Sequence, residues 1–452
     1  MDTQKLKEQV ETIRQAFGYI NRFKDRTFVI KIESSLLTNP FFPVLIKDIS
    51  LLHHMGIRIV LVPGAKTRID EVLATYGMQC ATIDSIRVSP PEAIPFIKMA
   101  AFDVSNTIMT KLAENDTNAV IGNWVRARGI GVRKGIDFQS SGLVEKLKTE
   151  IIQNVLQDGL VPIFPNIGWN SQGKPYNLSS NELAFTVARE LHAAKLFFIT
   201  DFGGISAQGL SIPKGVDVSS EGFVSQLTVD ETKKLIEGND DQAQGAMELA
   251  SFAYRACKSG VERVHIIDGR IEGMILKEIF SNRGFGTMIY ANQFENIRPM
   301  AHADIPEVLS LMRPAIDDGI LVPRTEDQLE QKLADYVVHE VDGTLHGCGA
   351  MHVFSGGKAE IAGIAVDETY GNQGVGRKIV SFLLEKASSL KLKKVFILTT
   401  QTADWFSKLG FVKADVADLP KERQQTYNKN RKSLVLAYTV GSVKLKKPLS
   451  VD

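Results

Sequence analysis

Residues 359–390 read AEIAGIAVDETYGNQGVGRKIVSFLLEKASSL and carry three local signals in a set order. A β-rich run ends at Val366, and a glycine-rich turn follows with Gly371, Gly374 and Gly376. An apolar stripe at helical spacing then runs from about Arg377 to Leu390. The first turn of a helix carries backbone N–H groups with no partner inside the helix, and the macrodipole is positive there. Opened by glycines, such an end lets pyrophosphate oxygens approach the backbone closely, and glycine tolerates the positive φ that such a loop can demand. Strand, glycine turn and helix together suit a phosphate cradle, or a plain strand-to-helix turn.

Upstream of the cradle lie a helix (Ala303–Asp318) and strand-like runs joined by tight-turn signals. These are Tyr336–Val341, Asp342-Gly343, Leu345–Phe354, Gly356-Gly357 and Lys358–Val366, and downstream comes a strand over Lys394–Thr400. Hairpins at this spacing predict antiparallel β, hence an α+β domain. Before the boundary-like segment ANQFENIRPM (residues 291–300) the texture differs. Short β-rich runs (Thr27–Ile32, Ile57–Val62, Leu160–Phe164, Lys195–Thr200, Arg263–Ile267) alternate with amphipathic stretches such as Thr67–Tyr76 and Asn181–His192. IRIVLV and KLFFIT carry apolar residues on both faces, as in strands covered by helices on both sides. The fold class predicted is therefore α/β, a mainly parallel sheet sandwiched by helices, followed by an α+β domain.

The opening segment sets Leu6, Val10, Ile13, Phe17, Ile20 and Phe23 on one helical stripe. It needs a surface to pack on, either its own domain or a second subunit. The expected organisation is a helix at 1–25, domains at 26–291 and 296–441, and a tail at 442–452.

The chain has 452 residues with 53 basic and 52 acidic side chains. A net charge of +1 supplies no long-range attraction to nucleic acid or to anionic lipid. The three cysteines (Cys80, Cys257, Cys348) are too far apart for a CxxC pair, which disfavours a disulfide framework or a structural zinc site. No metal is expected. No apolar run approaches ~18 residues, and the charged start MDTQKLKEQVETIRQ is unlike a signal peptide. A cytoplasmic protein is expected.

GNQGVGRKIVSFLL resembles the acetyl-coenzyme A loop of the GNAT acetyltransferases, and the element order around it matches. The resemblance implies acetyl-CoA as co-substrate. Its pyrophosphate would rest on the backbone of Asn372, Gln373, Gly374, Gly376 and Arg377, with Ile364 and Val366 completing the site from the strand. Gly371 departs from the family pattern, which has a long side chain there. Amide formation needs a neutral amine, and the resemblance puts the base at Glu360, with His352 on the preceding strand as the alternative. The usual tyrosine acid is replaced by Phe406. Either the thiolate leaves unassisted, or a hydroxyl such as Thr402 or Tyr427 helps. Arg324 and Arg431, beside Gly363, would supply two guanidinium forks for a dicarboxylic acceptor, the alternative for each being a surface salt bridge.

In the first half, VLVPGAKTRID, NLSSNELAFTVARELHAAKLFFITDFGGI and GVERVHIIDGRIEGMILKEIFSNRGFGTMI resemble the amino-acid kinase family, especially acetylglutamate kinases. Kinase followed by GNAT is the architecture of the bacterial-type N-acetylglutamate synthases. The resemblance implies transfer of acetyl to L-glutamate at the start of arginine biosynthesis. It also implies arginine as effector at Tyr19, Lys195, Glu278 and Gly284, and a homo-oligomer, with the N-terminal helix joining trimers into hexamers. Phosphoryl transfer is not expected. Lys31 is followed by Ile32, Glu33 and Ser34 where active relatives have two glycines, Asn181 stands for an aspartate, and QGAMELA lacks the lysine that follows in kinases. The rival readings are a GNAT enzyme for another amino acid or a polyamine, an arginine-binding protein without activity, and an active kinase.

Overall fold

A computed structural model describes residues 17, 19–213, 215–216, 218–219, 221–239, 245–280, 285–291, 295–341, 344–367 and 374–441. The N-terminal stripe up to Ile13, the turn residues Gly371, Asn372 and Gln373, Gly284 and the tail lie outside them. The chain divides into two units at residues 292/293.

The first unit is built on an eight-stranded sheet. Its strands are β1 (Thr27–Ile32), β2 (Arg58–Pro63), β3 (Ala119–Ile121), β4 (Val161–Ile163), β5 (Lys195–Thr200), β6 (Gln226–Thr228), β7 (Arg263–Asp268) and β8 (Thr287–Tyr290). They lie in the order β6-β8-β7-β5-β1-β2-β4-β3, and every pairing is parallel except β7 with β8. In β1, Phe28, Ile30 and Ile32 point into one apolar layer and Val29 into the other. Helices α1 (Phe42–His54), α2 (Lys66–Thr75) and α3 (Ile94–Ala113) close the first layer. Helices α4 (Thr149–Gln157), α5 (Ser180–Glu190), α6 (Val229–Glu237) and α7 (Ala246–Lys258) close the second. The last helix named in this unit, α8 (Met274–Phe280), returns to the first layer through Ile275 and Ile279. Two covered faces explain why KLFFIT shows no polar alternation: all six residues are buried. Truncating the fully buried Phe197 to alanine would cost about 3–5 kcal/mol. Four short strands (Val125–Gly129, Ser141–Leu147, Ile167–Trp169, Pro175–Leu178) form a small closed barrel.

The second unit is a seven-stranded sheet of β9 (Glu295–Pro299), β10 (Tyr336–Val341), β11 (Thr344–Phe354), β12 (Lys358–Val366), β13 (Lys394–Thr399), β14 (Val412–Ala414) and β15 (Leu434–Thr439). The order is β9-β10-β11-β12-β13-β15-β14. All neighbours are antiparallel except β12 and β13, whose parallel pairing requires a crossover. That crossover is α11 (Val375–Ser389), packed through Ile379, Leu383 and Ala387 on one face of the sheet. On the opposite face lie α9 (Ile305–Asp317) and α10 (Glu326–Gln331), with Val308, Met312 and Leu329 against Tyr336, Val338 and Ala350. Two short helices follow, α12 (Ala403–Lys408) and α13 (Lys421–Gln425). Among the described residues no helix is long and apolar enough to cross a membrane.

Candidate active site

Strands β12 and β13 run side by side for only three pairs, ending at Glu360 and Phe396. Beyond that point β13 still pairs with β15 up to Thr399, while β12 continues to Val366. The two parallel strands therefore part company, and the backbone edge of Ile361–Val366 is left without its neighbour. Helix α11 begins beside this opening. Its N-cap is Gly374, at φ +70, so the helix starts at Val375 and not near Arg377. A β-carbon at this φ would be strained, which is why the turn is glycine. Gly376 and Arg377 thus belong to the first turn, where N–H groups are unsatisfied by the helix. Of the residues expected at the pyrophosphate, Gly374, Gly376 and Arg377 stand at this helix start and Ile364 and Val366 on the open strand; Asn372 and Gln373 fall outside the described residues.

Glu360 sits where the strands separate. It is 6 % exposed and held by Arg423, whose Nε donates to Oε2 at 2.7 Å and Nη2 to Oε1 at 3.2 Å. A solvated strand-end carboxylate is thereby excluded. His352 is its cross-strand neighbour and bonds Asp335 Oδ2 through Nδ1 at 2.6 Å. Both proposed bases thus face the same side of the sheet.

Gly363 lies at φ +64 opposite an irregularity in β11. An added β-carbon would lie 3.3 Å from Arg324 Nη2 and 3.4 Å from both Cζ and Nη1. Near-equal distances mean that the guanidinium lies flat over the glycine. Arg431 Nη2 donates to the carbonyls of Gly319 (2.7 Å) and Ile320 (3.1 Å), in the turn that leads to Arg324. The two arginines and Gly363, 107 positions apart or fewer in a 452-residue chain, are thus tied to one region. Burial pushes the Tyr336 hydroxyl up to about 12 although Arg324 is near, so it is a neutral phenol. Burial also pushes the Cys348 thiol up to about 12, which makes it a poor nucleophile. Phe406 is buried in the apolar layer with Trp405 and Phe411. Thr402 shares a 2.8 Å bond with Thr399, and the Tyr427 hydroxyl donates to Ser433 O at 2.8 Å.

In the first unit Tyr19, Lys195 and Glu278 come together; Gly284 is outside the described residues. Lys195 Nζ lies over the rings of Tyr19 (5.2 Å) and Phe23 (5.1 Å) and 3.3 Å from His265 Nε2. His265 Nδ1 is 2.8 Å from Glu278 Oε1, and Glu278 Oε2 accepts from the backbone N–H of Phe285 and Gly286. Burial, reinforced by Lys195, pushes the His265 pKa down, so the ring is neutral. Burial works against the Glu278 charge, but the His265 ring, the Phe285 N–H and Lys195 together outweigh it and the carboxyl is held below its usual range. A neutral imidazole accepting from Lys195 and donating to Glu278 satisfies all three groups. His265 had no signal in the sequence beyond a lone histidine inside an apolar strand.

At the other end of the same sheet a cleft of about 800 Å³ is lined by Lys31, Glu33, Lys66, Arg87, Asn181 and Glu248, among others. Lys31 is 1 % exposed and bonded to Glu33, and Asn181 Nδ2 is 3.5 Å from Glu248 Oε1. Burial raises the Glu248 pKa.

Residues 26–268 match the amino acid kinase family and residues 305–411 the acetyltransferase (GNAT) family. An amino-acid acetyltransferase of Aeromonas salmonicida is 36% identical over 442 residues, 95% of this chain and 98% of that protein. The chain belongs to the amino-acid acetyltransferases. It is an N-acetyltransferase with the architecture of the bacterial-type N-acetylglutamate synthases. The solved N-acetylglutamate synthase of Neisseria gonorrhoeae with coenzyme A and L-arginine is 30% identical, with a TM-score of 0.84 over 96% of this chain and 99% of that one. The same enzyme with coenzyme A and N-acetyl-glutamate is 31% identical, with a TM-score of 0.60 over 95% and 99%.

Proposed function

We propose that this amino-acid acetyltransferase moves acetyl from acetyl-CoA to the α-amino group of L-glutamate, with arginine binding the first unit as inhibitor. Residues 296–441 act as the transferase domain, residues 26–291 as the regulatory domain, and the N-terminal helix as the oligomer contact. The observation that carries the acceptor assignment is Arg324 against Gly363 on the strand that bears Glu360, with Arg431 bonded to the turn that leads to Arg324. One fork suits each carboxylate of a small diacid.

The donor's pyrophosphate rests on the N–H groups at the start of α11, Gly374 to Arg377, and its acyl arm follows the open edge of β12 at Ile364 and Val366. Arg324 and Arg431 hold the acceptor so that its amine faces the thioester. Glu360 takes the amine proton, directly or through water. The nitrogen then bonds to the acetyl carbon while the C–S bond breaks, and the electron pair leaves on sulfur as thiolate. A thiol of ordinary acidity near 8.5 gives a leaving group that needs little help, which fits a site where Phe406 replaces the usual hydroxyl.

The Lys195–His265–Glu278 cluster with Tyr19 supports the effector assignment, because a guanidinium needs a carboxylate and aromatic faces. Regulation requires arginine to favour one state of the enzyme over another. The Lys31–Glu33 bond supports a first unit without phosphoryl transfer, since the cation that would meet a phosphate is already paired with a carboxylate. Thiol release from acetyl-CoA with glutamate, with and without arginine, tests the proposal. Glutamate-dependent release that arginine suppresses is the expected result, and the absence of glutamate dependence would overturn it.

A further inference from the structure

Arg423 belongs to no motif, yet it spends its whole guanidinium inside the candidate site. Nε and Nη2 grip the two oxygens of Glu360, and Nη1 donates to the Thr426 carbonyl and hydroxyl, each at 3.2 Å. One side chain therefore joins the point where β12 and β13 part to the segment Lys421–Arg431. A buried carboxylate without a partner would favour its protonated form, and a protonated carboxyl cannot accept the amine proton. A fork at both oxygens also fixes the plane of the carboxylate, which leaves its outer lone pairs directed away from the guanidinium.

Other groups around Glu360 do not replace this contact. Helix α13 also presents Glu422, which is fully exposed and bonded to Ser355. Strand β11 presents His352, already engaged with Asp335, and β12 carries Lys358 two residues away, bonded to Asp418 O at 2.6 Å. Strand β13 offers Phe396 at the paired position.

We propose that Arg423 is a positioning residue for acetyl transfer, keeping Glu360 ionised and oriented at the parting of the two strands. This rests on the reading of Glu360 as the proton acceptor. The same guanidinium sets how far towards acid the enzyme keeps working.

The test is the pH dependence of kcat at saturating glutamate, which reports groups in the enzyme–substrate complex. In Arg423→Gln the acid limb is expected to move up by about one to two pH units, with activity largely regained on the alkaline side. Arg423→Lys retains the charge but not the fork, and should move the limb in the same direction by less. It also serves if the glutamine variant does not fold. Activity lowered equally at every pH in these variants, with the limb in place, would show a merely structural role and overturn the proposal. Glu360→Gln separates the two readings. If it keeps the wild-type limb, Glu360 is not the proton acceptor; if it loses the limb while the Arg423 variants leave theirs unmoved, only the Arg423 proposal fails.

Discussion

Gly363→Ala makes the smallest possible addition to the acceptor site, one methyl group. At φ +64 an alanine is held in left-handed backbone, which costs about 1–2 kcal/mol of stability. The new carbon would lie 3.3–3.4 Å from three atoms of the Arg324 guanidinium, closer than ordinary contact. That neighbour is the far end of a flexible side chain, so it will move aside and the backbone will not. A hydrogen bond to a charged group is worth about 1.5–3 kcal/mol, and losing the alignment of Arg324 with an acceptor carboxylate should cost about 2 kcal/mol. That corresponds to roughly thirty-fold in kcat/KM for glutamate. Initial rates of thiol release, varying each substrate at saturating levels of the other, provide the assay. The KM for glutamate should carry most of the change, and the KM for acetyl-CoA should stay within about two-fold, because no donor contact is altered. A variant with a lowered unfolding midpoint but unchanged kinetics for glutamate would refute the placement of Arg324 at the acceptor.

Two further outcomes follow from buried charges. Asp48 on α1 is 8 % exposed with Oδ2 unbonded among the described residues, and burial pushes its carboxyl up to about 6 from 3.8. The folded form then binds more protons than the unfolded chain between those values, so its contribution to stability is lost as pH rises through about 6. Asp48→Asn should flatten that slope and stabilise the protein at neutral pH by about 1–2 kcal/mol, after discounting for partial solvation, as read by denaturant unfolding at several pH values. Glu278→Gln removes the charge that would meet arginine. The arginine concentration giving half of the effect, normalised to the variant's own arginine-free rate, should rise at least about ten-fold, and an unchanged value would move the effector elsewhere.

The legible parts of this chain were those written in local pattern. The apolar residues of KLFFIT fall on both faces, so the strand has to be covered twice, and β5 is flanked by helices on each side. Hairpin signals around Asp342-Gly343 and Gly356-Gly357 announced an antiparallel sheet, and β10, β11 and β12 pair that way. Helix α11 starts ahead of the Arg377 that its apolar stripe suggests, because the start depends on the left-handed Gly374, a backbone state that glycine permits but does not announce. The barrel strands are three to seven residues long, too short for periodicity to separate them from loop. Site contacts were legible only one side at a time. Glu360 and Arg423 are 63 positions apart, and the arginine comes from a five-residue helix with no pattern of its own. His265 completes the Lys195–Glu278 cluster from inside a strand, where a single histidine looks like any core residue.

Acceptor selectivity is the property in which donor loop, catalytic strand and both guanidinium groups have to cooperate. Rates of coenzyme A thiol release across amino acids and polyamines, with L-glutamine as the near-isosteric control, measure it. L-Glutamate should exceed L-glutamine by about a hundred-fold or more in kcat/KM, since the amide leaves one half-buried guanidinium without its carboxylate. Equal use of the two, or faster acetylation of a polyamine, would contradict the diacid site.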